Sequence, residues 1–154
     1  MVGVSLLDRL VDLDPKTKRE ARPYRVQSLA AYKESIRRDL TWLLSTRAPR
    51  RQKDLEREQR TVIDYGIPDF SDYYTANAED WRKIAESVER SIRVYEPRLK
   101  NVRVKVLGAM AGVQVLPFVM EAEIWIEGKA IPVAFPIEIT GKGESVVITL
   151  QNER

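Results

Sequence analysis

The chain contains no cysteine and no histidine. Without cysteine it forms no disulfide and offers no thiolate to a metal, which fits a reducing, cytoplasmic setting. Without histidine it builds neither a Ser-His-Asp nor a Cys-His catalytic group, and no imidazole metal site. The expectation is therefore a protein with no metal and no cofactor. No apolar run approaches the roughly 18 residues that a membrane-crossing helix needs. The opening stretch MVGVSLLDRLVDLD places acids inside a short amphipathic pattern, unlike a secretory leader, so no membrane insertion is expected. Any catalysis would fall to carboxylates, Lys, Tyr, Ser and Thr.

What is present is ordinary for a globular protein. Of 154 residues, 44% are hydrophobic and 32% charged, enough for one sizeable core. The net charge of +3 is uneven. Residues 1–100 hold 21 basic and 17 acidic side chains, and residues 101–154 hold 5 and 6. The surplus gathers at Lys16, Lys18, Arg19, Arg22 and Arg25, and at Arg47, Arg50, Arg51 and Lys53. Such runs serve solubility first, and acidic protein surfaces or nucleic acid second.

Periodicity divides the chain near its middle. Residues 5–13 make a short amphipathic helix with Leu6, Leu7, Leu10 and Leu13 on one edge, followed by a polar, basic linker to Arg25. A helix this short needs a docking surface, either its own core or a partner. Residues 28–45 give a second helix, with Ser28 as its cap and Leu29, Tyr32, Ile36, Leu40, Leu43 and Leu44 on one face. Residues 53–64 read as a third, largely charged helix with a thin stripe of Leu55, Val62 and Ile63. Gly66 suits the left-handed position after it, and Pro68 blocks a restart. From Asn77, the residues Trp81, Ile84, Ala85, Val88, Ile92 and Tyr95 form the face of a fourth helix.

That helix meets Glu96-Pro97-Arg98. The residue before proline is pushed out of the helical region, so the helix should end near Tyr95. Glu96 and Arg98 should then project side by side. A glutamate at a helix C-terminus opposes the dipole unless a cation answers it, and Arg98 is the nearest one. The plain reading is a helix stop with a local ion pair. Arg47, at the end of the second helix, suits the dipole and could reach across to a carboxylate.

Beyond Arg98 the period becomes two. Val102, Val104 and Val106 alternate with charge, then Met120, Ala122, Ile124 and Ile126, then Ile131, Val133, Phe135, Ile137 and Ile139, then Val146, Ile148 and Leu150. Glu127-Gly128-Lys129 and Gly141-Lys142-Gly143 are turns. The fold class is α+β: N-terminal helices on one face of a C-terminal antiparallel β-sheet. The domain reading is an N-terminal helix and linker over 1–27 and one core domain over 28–154. Pro132 and Pro136 share parity, so both lack a donor on the same side of their strand. Either the strand has an edge there or it bulges, and an open edge receives another chain's strand.

Several strings together resemble a known family. They are Ser5-Leu6-Leu7-Asp8-Arg9-Leu10, the run Arg38-Asp39-Leu40-Thr41-Trp42-Leu43-Leu44-Ser45-Thr46-Arg47, then Tyr65-Gly66-Ile67-Pro68-Asp69, and Glu96-Pro97-Arg98 with Leu99 and Val102. In order and spacing the chain resembles TssE-type subunits of the bacterial type VI secretion baseplate. These belong to the phage-tail baseplate wedge proteins often labelled lysozyme-like. The resemblance implies structural work rather than catalysis. It implies a cytoplasmic protein within a membrane-docked baseplate, hetero-oligomeric contacts with the wedge subunits TssF and TssG, and a sheet that templates polymerisation of the contractile sheath. It marks Glu96, Pro97 and Arg98 as the family signature. On this reading Glu96, Pro97, Arg98, Arg47, Leu6, Leu7, Leu10 and the strand edge about Val133, Phe135 and Ile137 meet partners.

Two other functions remain to weigh. A peptidoglycan glycosidase would need a second carboxylate about 5 Å from Glu96, with the two pKa values held apart. Spacing fixes none, and Asp64, Asp69, Glu121 and Glu123 are the possibilities. Nucleic-acid binding through the basic runs lacks a recognisable module, and Asp54, Glu56 and Glu58 interrupt one run, so no nucleic-acid partner is expected.

Overall fold

Alternating apolar residues make the sheet of the C-terminal half, and one amphipathic helix covers it. The computed structural model describes residues 2–4, 8, 10, 16, 26–50, 54–55, 59–70, 78–108, 115–140 and 146–148. The elements are β1 (Val2–Gly3), β2 (Val26–Gln27), α1 (Leu29–Ser45), a 3-10 turn (Val62–Asp64), α2 (Ala78–Tyr95), β3 (Leu99–Val106), β4 (Val115–Ile126), β5 (Lys129–Thr140) and β6 (Val146–Ile148). The fold is α+β, with helices preceding an antiparallel sheet of order β3-β4-β5-β6. The chain divides into two compact units, Met1–Ile36 and Arg37–Arg154, the boundary falling inside α1.

In the first unit, β1 and β2 pair antiparallel, with Val2 opposite Gln27 and Gly3 opposite Val26. Strands of two residues leave too little alternation to be read from sequence. Ser28 caps α1 as expected, its hydroxyl accepting from Ala31 N–H at 3.1 Å. Asp8, in a helical position, accepts from the Ser35 hydroxyl at 2.8 Å. Most of the expected helix over 5–13, including Leu6 and Leu7, lies outside the described residues. Leu10 is helical and exposed.

In the second unit, Ile84, Ala85, Val88 and Ile92 are the buried stripe of α2. They face the sheet's inner side, where Val102, Phe118, Met120, Ala122, Ile124, Val133, Phe135 and Ile137 are buried. Burial of each large side chain in such a layer contributes about 1.5–3 kcal/mol. The β4–β5 hairpin turns through Glu127 (φ 51) and Gly128 (φ 79). Two consecutive positive φ values make this the hairpin turn whose twist matches its strands.

The expected third helix over 53–64 is not continuous. Asp54 and Leu55 are helical, but Gln59, Arg60 and Thr61 are not, and only a 3-10 turn follows. Val62 and Ile63, read as a packing stripe, are 87% and 75% exposed. A helix would have to be held by its apolar face, and here the stripe is too thin. Polar tertiary bonds take the segment instead. The Asp64 carboxylate accepts from Thr61 N–H (2.9 Å) and the Thr61 hydroxyl (3.1 Å). The Thr61 carbonyl accepts from the Tyr95 hydroxyl at 2.7 Å.

The proline problem resolves in the register. β6 pairs with β5 only over Ile137–Ile139. From Lys129 to Pro136, β5 has no partner on that side among the described residues. Leu107 N–H donates to the Pro117 carbonyl at 2.9 Å, so odd-numbered β4 residues direct their backbone groups to β3 and even ones to β5. Pro132 and Pro136 stand opposite Glu123 and Val119, which are odd. Both proline nitrogens therefore point away from β4, to the side where no described strand pairs with them.

Candidate functional site

The site grows from the α2–β3 corner. α2 ends at Tyr95, as the proline dictates. Glu96 N–H still donates to the Ile92 carbonyl (2.8 Å), and Leu99 N–H closes a turn onto the Glu96 carbonyl (3.2 Å). Pro97 holds the second position of that turn, which its fixed φ favours. The turn aims Arg98 back at Glu96. Arg98 Nε donates to Glu96 Oε1 at 2.6 Å, and Arg98 Nη2 donates to Glu96 Oε2.

A third side chain completes the cluster. Asp39 on α1 accepts from Arg98 Nη2 at 2.5 Å. Asp39 also accepts from Arg38 through Nε (3.1 Å) and Nη2 (3.0 Å). Arg38 in turn stacks on Trp42, its guanidinium carbon 5.1 Å from the ring centroid. The chain of contacts therefore runs Glu96–Arg98–Asp39–Arg38–Trp42, from the interior to an exposed indole. Glu96 is 4% exposed and the Arg98 side chain 19%. Burial alone would lower the Arg98 pKa, but the hydrogen bonds and charges of Glu96 and Asp39 outweigh it and raise it. Tyr65 sits close by. Burial, then the charges of Asp39 and Glu96, push its hydroxyl pKa up.

A second knot lies next to the first. Ile67 N–H donates to the Thr46 carbonyl (2.9 Å), and Ala48 N–H donates to the Ile67 carbonyl (2.8 Å). Arg47 lies just beyond α1 and pairs with Asp69 at 2.7 Å, the reach across to a carboxylate that its position suggested. Gly66 has φ +121, and a Cβ there would stand 2.4 Å from the Thr46 carbonyl oxygen. No side chain fits.

The structure brings some expected partner-binding residues together and separates others. Glu96, Pro97 and Arg98 form one cluster, with the two charges satisfied inside the fold rather than held out. Arg47 lies on the neighbouring knot. Val133, Phe135 and Ile137 point into the core and turn their backbone groups to β4, so the outer side of β5 presents neither; its outward backbone groups belong to the even-numbered residues. Ile137 already faces Ile148 of β6. Sequence reading missed Asp39 as the second acid, because its spacing to Glu96 is tertiary. The only hint was a charged run off the apolar face of α1.

Asp39 and Glu96 share one guanidinium nitrogen, which brings two carboxylates as close as a retaining glycosidase requires. Arg98 occupies the space between them, where a sugar would have to enter. Neither the hollow of about 590 Å³ beside Trp81 and Val104 nor the one of about 680 Å³ beside Arg103 and Pro132 includes either acid. Of the other acids considered, Glu121 pairs with Lys105 and Glu123 accepts from Asn101. Among the described residues no acidic cluster has the make-up of a metal site, and no helix is long and apolar enough to cross a membrane.

Fold and site together define an α+β domain whose corner charges Glu96 and Arg98 are neutralised internally and whose β5 strand has, among the described residues, a partner on one side only from Lys129 to Pro136. The profile of a family described as baseplate wedge protein gp25 matches residues 30–129, and the chain belongs to that family. It is thereby a structural baseplate component. A chain in the baseplate complex from the type VI secretion system shares the fold, with TM-score 0.53 and 18% identity over 71% of this chain and 93% of that one. A putative tail lysozyme from Geobacter sulfurreducens aligns with TM-score 0.45 and 19% identity over 72% and 94%. No curated protein matches significantly.

Proposed function

We propose that the protein is a wedge subunit of a type VI contractile machine, cytoplasmic and set in a membrane-docked baseplate. It joins the wedge partners TssF and TssG to the sheath, and its sheet helps to start sheath polymerisation. The observation that carries the sheath contact is the β5 edge from Lys129 to Pro136. It has no strand partner among the described residues, and its two prolines face outward. A sheath strand added there would meet the carbonyls of Ala130, Pro132, Ala134 and Pro136, but N–H donors only from Ala130 and Ala134. The work of the protein is then assembly, with no catalytic step and no cofactor.

Within this reading, Glu96-Pro97-Arg98 acts first as an internal clamp that fixes the corner between α2 and the sheet. Arg98→Ala would strand Glu96 as a buried carboxylate without its cation, a loss of about 3–5 kcal/mol. Failed assembly by that variant alone therefore says little about contact. The double substitution E96L/R98M removes both charges at similar volume and should restore most of the stability. Urea unfolding and pull-down with the wedge and sheath subunits test both points. A stable E96L/R98M that still assembles means the motif is structural. A stable one that does not assemble means the charges meet a partner. If the wild type captures neither wedge nor sheath subunits, the proposed function itself fails.

A further inference from the structure

A sheet has two edges, and the edge formed by β3 is arranged differently from that of β5. By the same register argument, the even residues of β3 past the irregularity between Lys100 and Arg103 direct their backbone groups away from β4. Val104 N–H and the Val102 carbonyl therefore face outward. Both are taken by side chains of α2. Glu89 Oε2 accepts from Val104 N–H at 3.0 Å. Arg93 Nη2 donates to the Val102 carbonyl at 3.0 Å. The two side chains also pair with each other at 2.6 Å, one helical turn apart.

The polarity of this arrangement is what matters. One residue of a parallel strand bonds a carbonyl and an N–H two residues apart on its neighbour. Glu89 and Arg93 supply that same pair: an acceptor for one group and a donor for the other. An exposed i,i+4 ion pair contributes only a few tenths of a kcal/mol. Charge-assisted bonds to backbone are stronger. β3 also needs such cover. Val102, Val104 and Val106 are β-branched and favour pairing with another strand, which Arg103 and Lys105 between them only partly discourage.

We propose that Glu89 and Arg93 act as a surrogate strand that shuts the β3 edge against pairing with the β3 of a second copy. Strand addition is thereby confined to the β5 edge. The inference does not depend on which partner takes that edge. The irregularity between Lys100 and Arg103, with Asn101 at φ 53, adds a local kink at the other end of the same edge.

The test exchanges the two side chains. E89R/R93E keeps the ion pair, the helix and the net charge, but offers a donor to an N–H and an acceptor to a carbonyl. E89A/R93A removes both groups and keeps strong helix formers, so it guards against a misfolded swap. The measurements are hydrogen exchange at the Val104 amide and mass by light scattering over a concentration series, each against wild type. The expected result is Val104 exchange about tenfold faster, from one lost hydrogen bond, and a mass that rises with concentration beyond that of wild type. If both variants keep wild-type Val104 protection and wild-type mass, the surrogate strand does not exist. Faster exchange with unchanged mass would show that the bonds form but do not guard the edge, and would also overturn the proposal.

Discussion

At the residue scale, the buried and half-buried charges Glu96, Arg98, Asp39 and Asp64 each have an opposite charge or a donor within reach. Glu96 has Arg98, and Arg98 has a second acid in Asp39. The sequence made half of this legible. That Glu96 lies beside Arg98 was legible in their spacing around the proline, but a turn closed by Leu99 N–H on the Glu96 carbonyl, not the expected extended segment, brings them together. Asp39 does not, since it arrives from another helix 59 residues away. Asp64 shows the same logic with a measurable consequence. Its bond from Thr61 N–H lowers its pKa first; burial opposes, and the Thr61 hydroxyl, Arg50 and Arg60 lower it further. A carboxyl with a depressed folded pKa stabilises the fold above its unfolded value, near 4, and loses that contribution as pH falls through the folded value. Asp64→Asn should therefore be less stable than wild type at pH 7. The difference should shrink as pH drops below about 4. Urea midpoints measured from pH 7 to pH 2 check this, and a gap that stays constant would remove Asp64 as the source.

At the element scale, the periodic segments were readable and the tertiary knots were not. α1, α2 and the inner faces of β3, β4 and β5 follow their apolar spacing. The segment 59–64 departs from it because Thr61, Asp64 and Tyr95 bond to one another, and no local pattern reports such partners. Gly66 lies between these cases. Its place after a charged, helix-like segment predicts a left-handed backbone as a helix end. The structure supplies a different reason: the Thr46–Ala48 loop packs directly on its Cα. Gly66→Ala combines a disfavoured φ with a backbone clash, and should cost about 2 kcal/mol or more. Because the clash lies between two loops, the loss should appear as faster exchange at the Ala48 and Ile67 amides before the sheet is affected. Equal slowing or speeding throughout the sheet would mean the knot does not open by itself.

At the scale of the whole molecule, the core is distributed unevenly along the chain. Of the buried apolar side chains described, only Tyr32 and Ile36 precede Arg37. The second unit holds α2, all four strands of the larger sheet and both knots around Gly66 and Arg98. Its stability should therefore come from its own residues. The family match begins at residue 30, near the same place. We propose that residues 1–27 form an appendage to a core that folds without them. A chain beginning at Ser28 keeps the cap of α1 and every buried side chain of the second unit. It should unfold in one cooperative urea transition, with a slope reduced only in proportion to the surface removed. Its Val104 and Ile67 amides should remain protected. A broad transition, or loss of protection at those amides, would show that the first 27 residues are part of the folding core. A cooperative transition with lost capture of wedge subunits would instead assign residues 1–27 to partner binding, the second of the two docking surfaces open to a helix too short to stand alone.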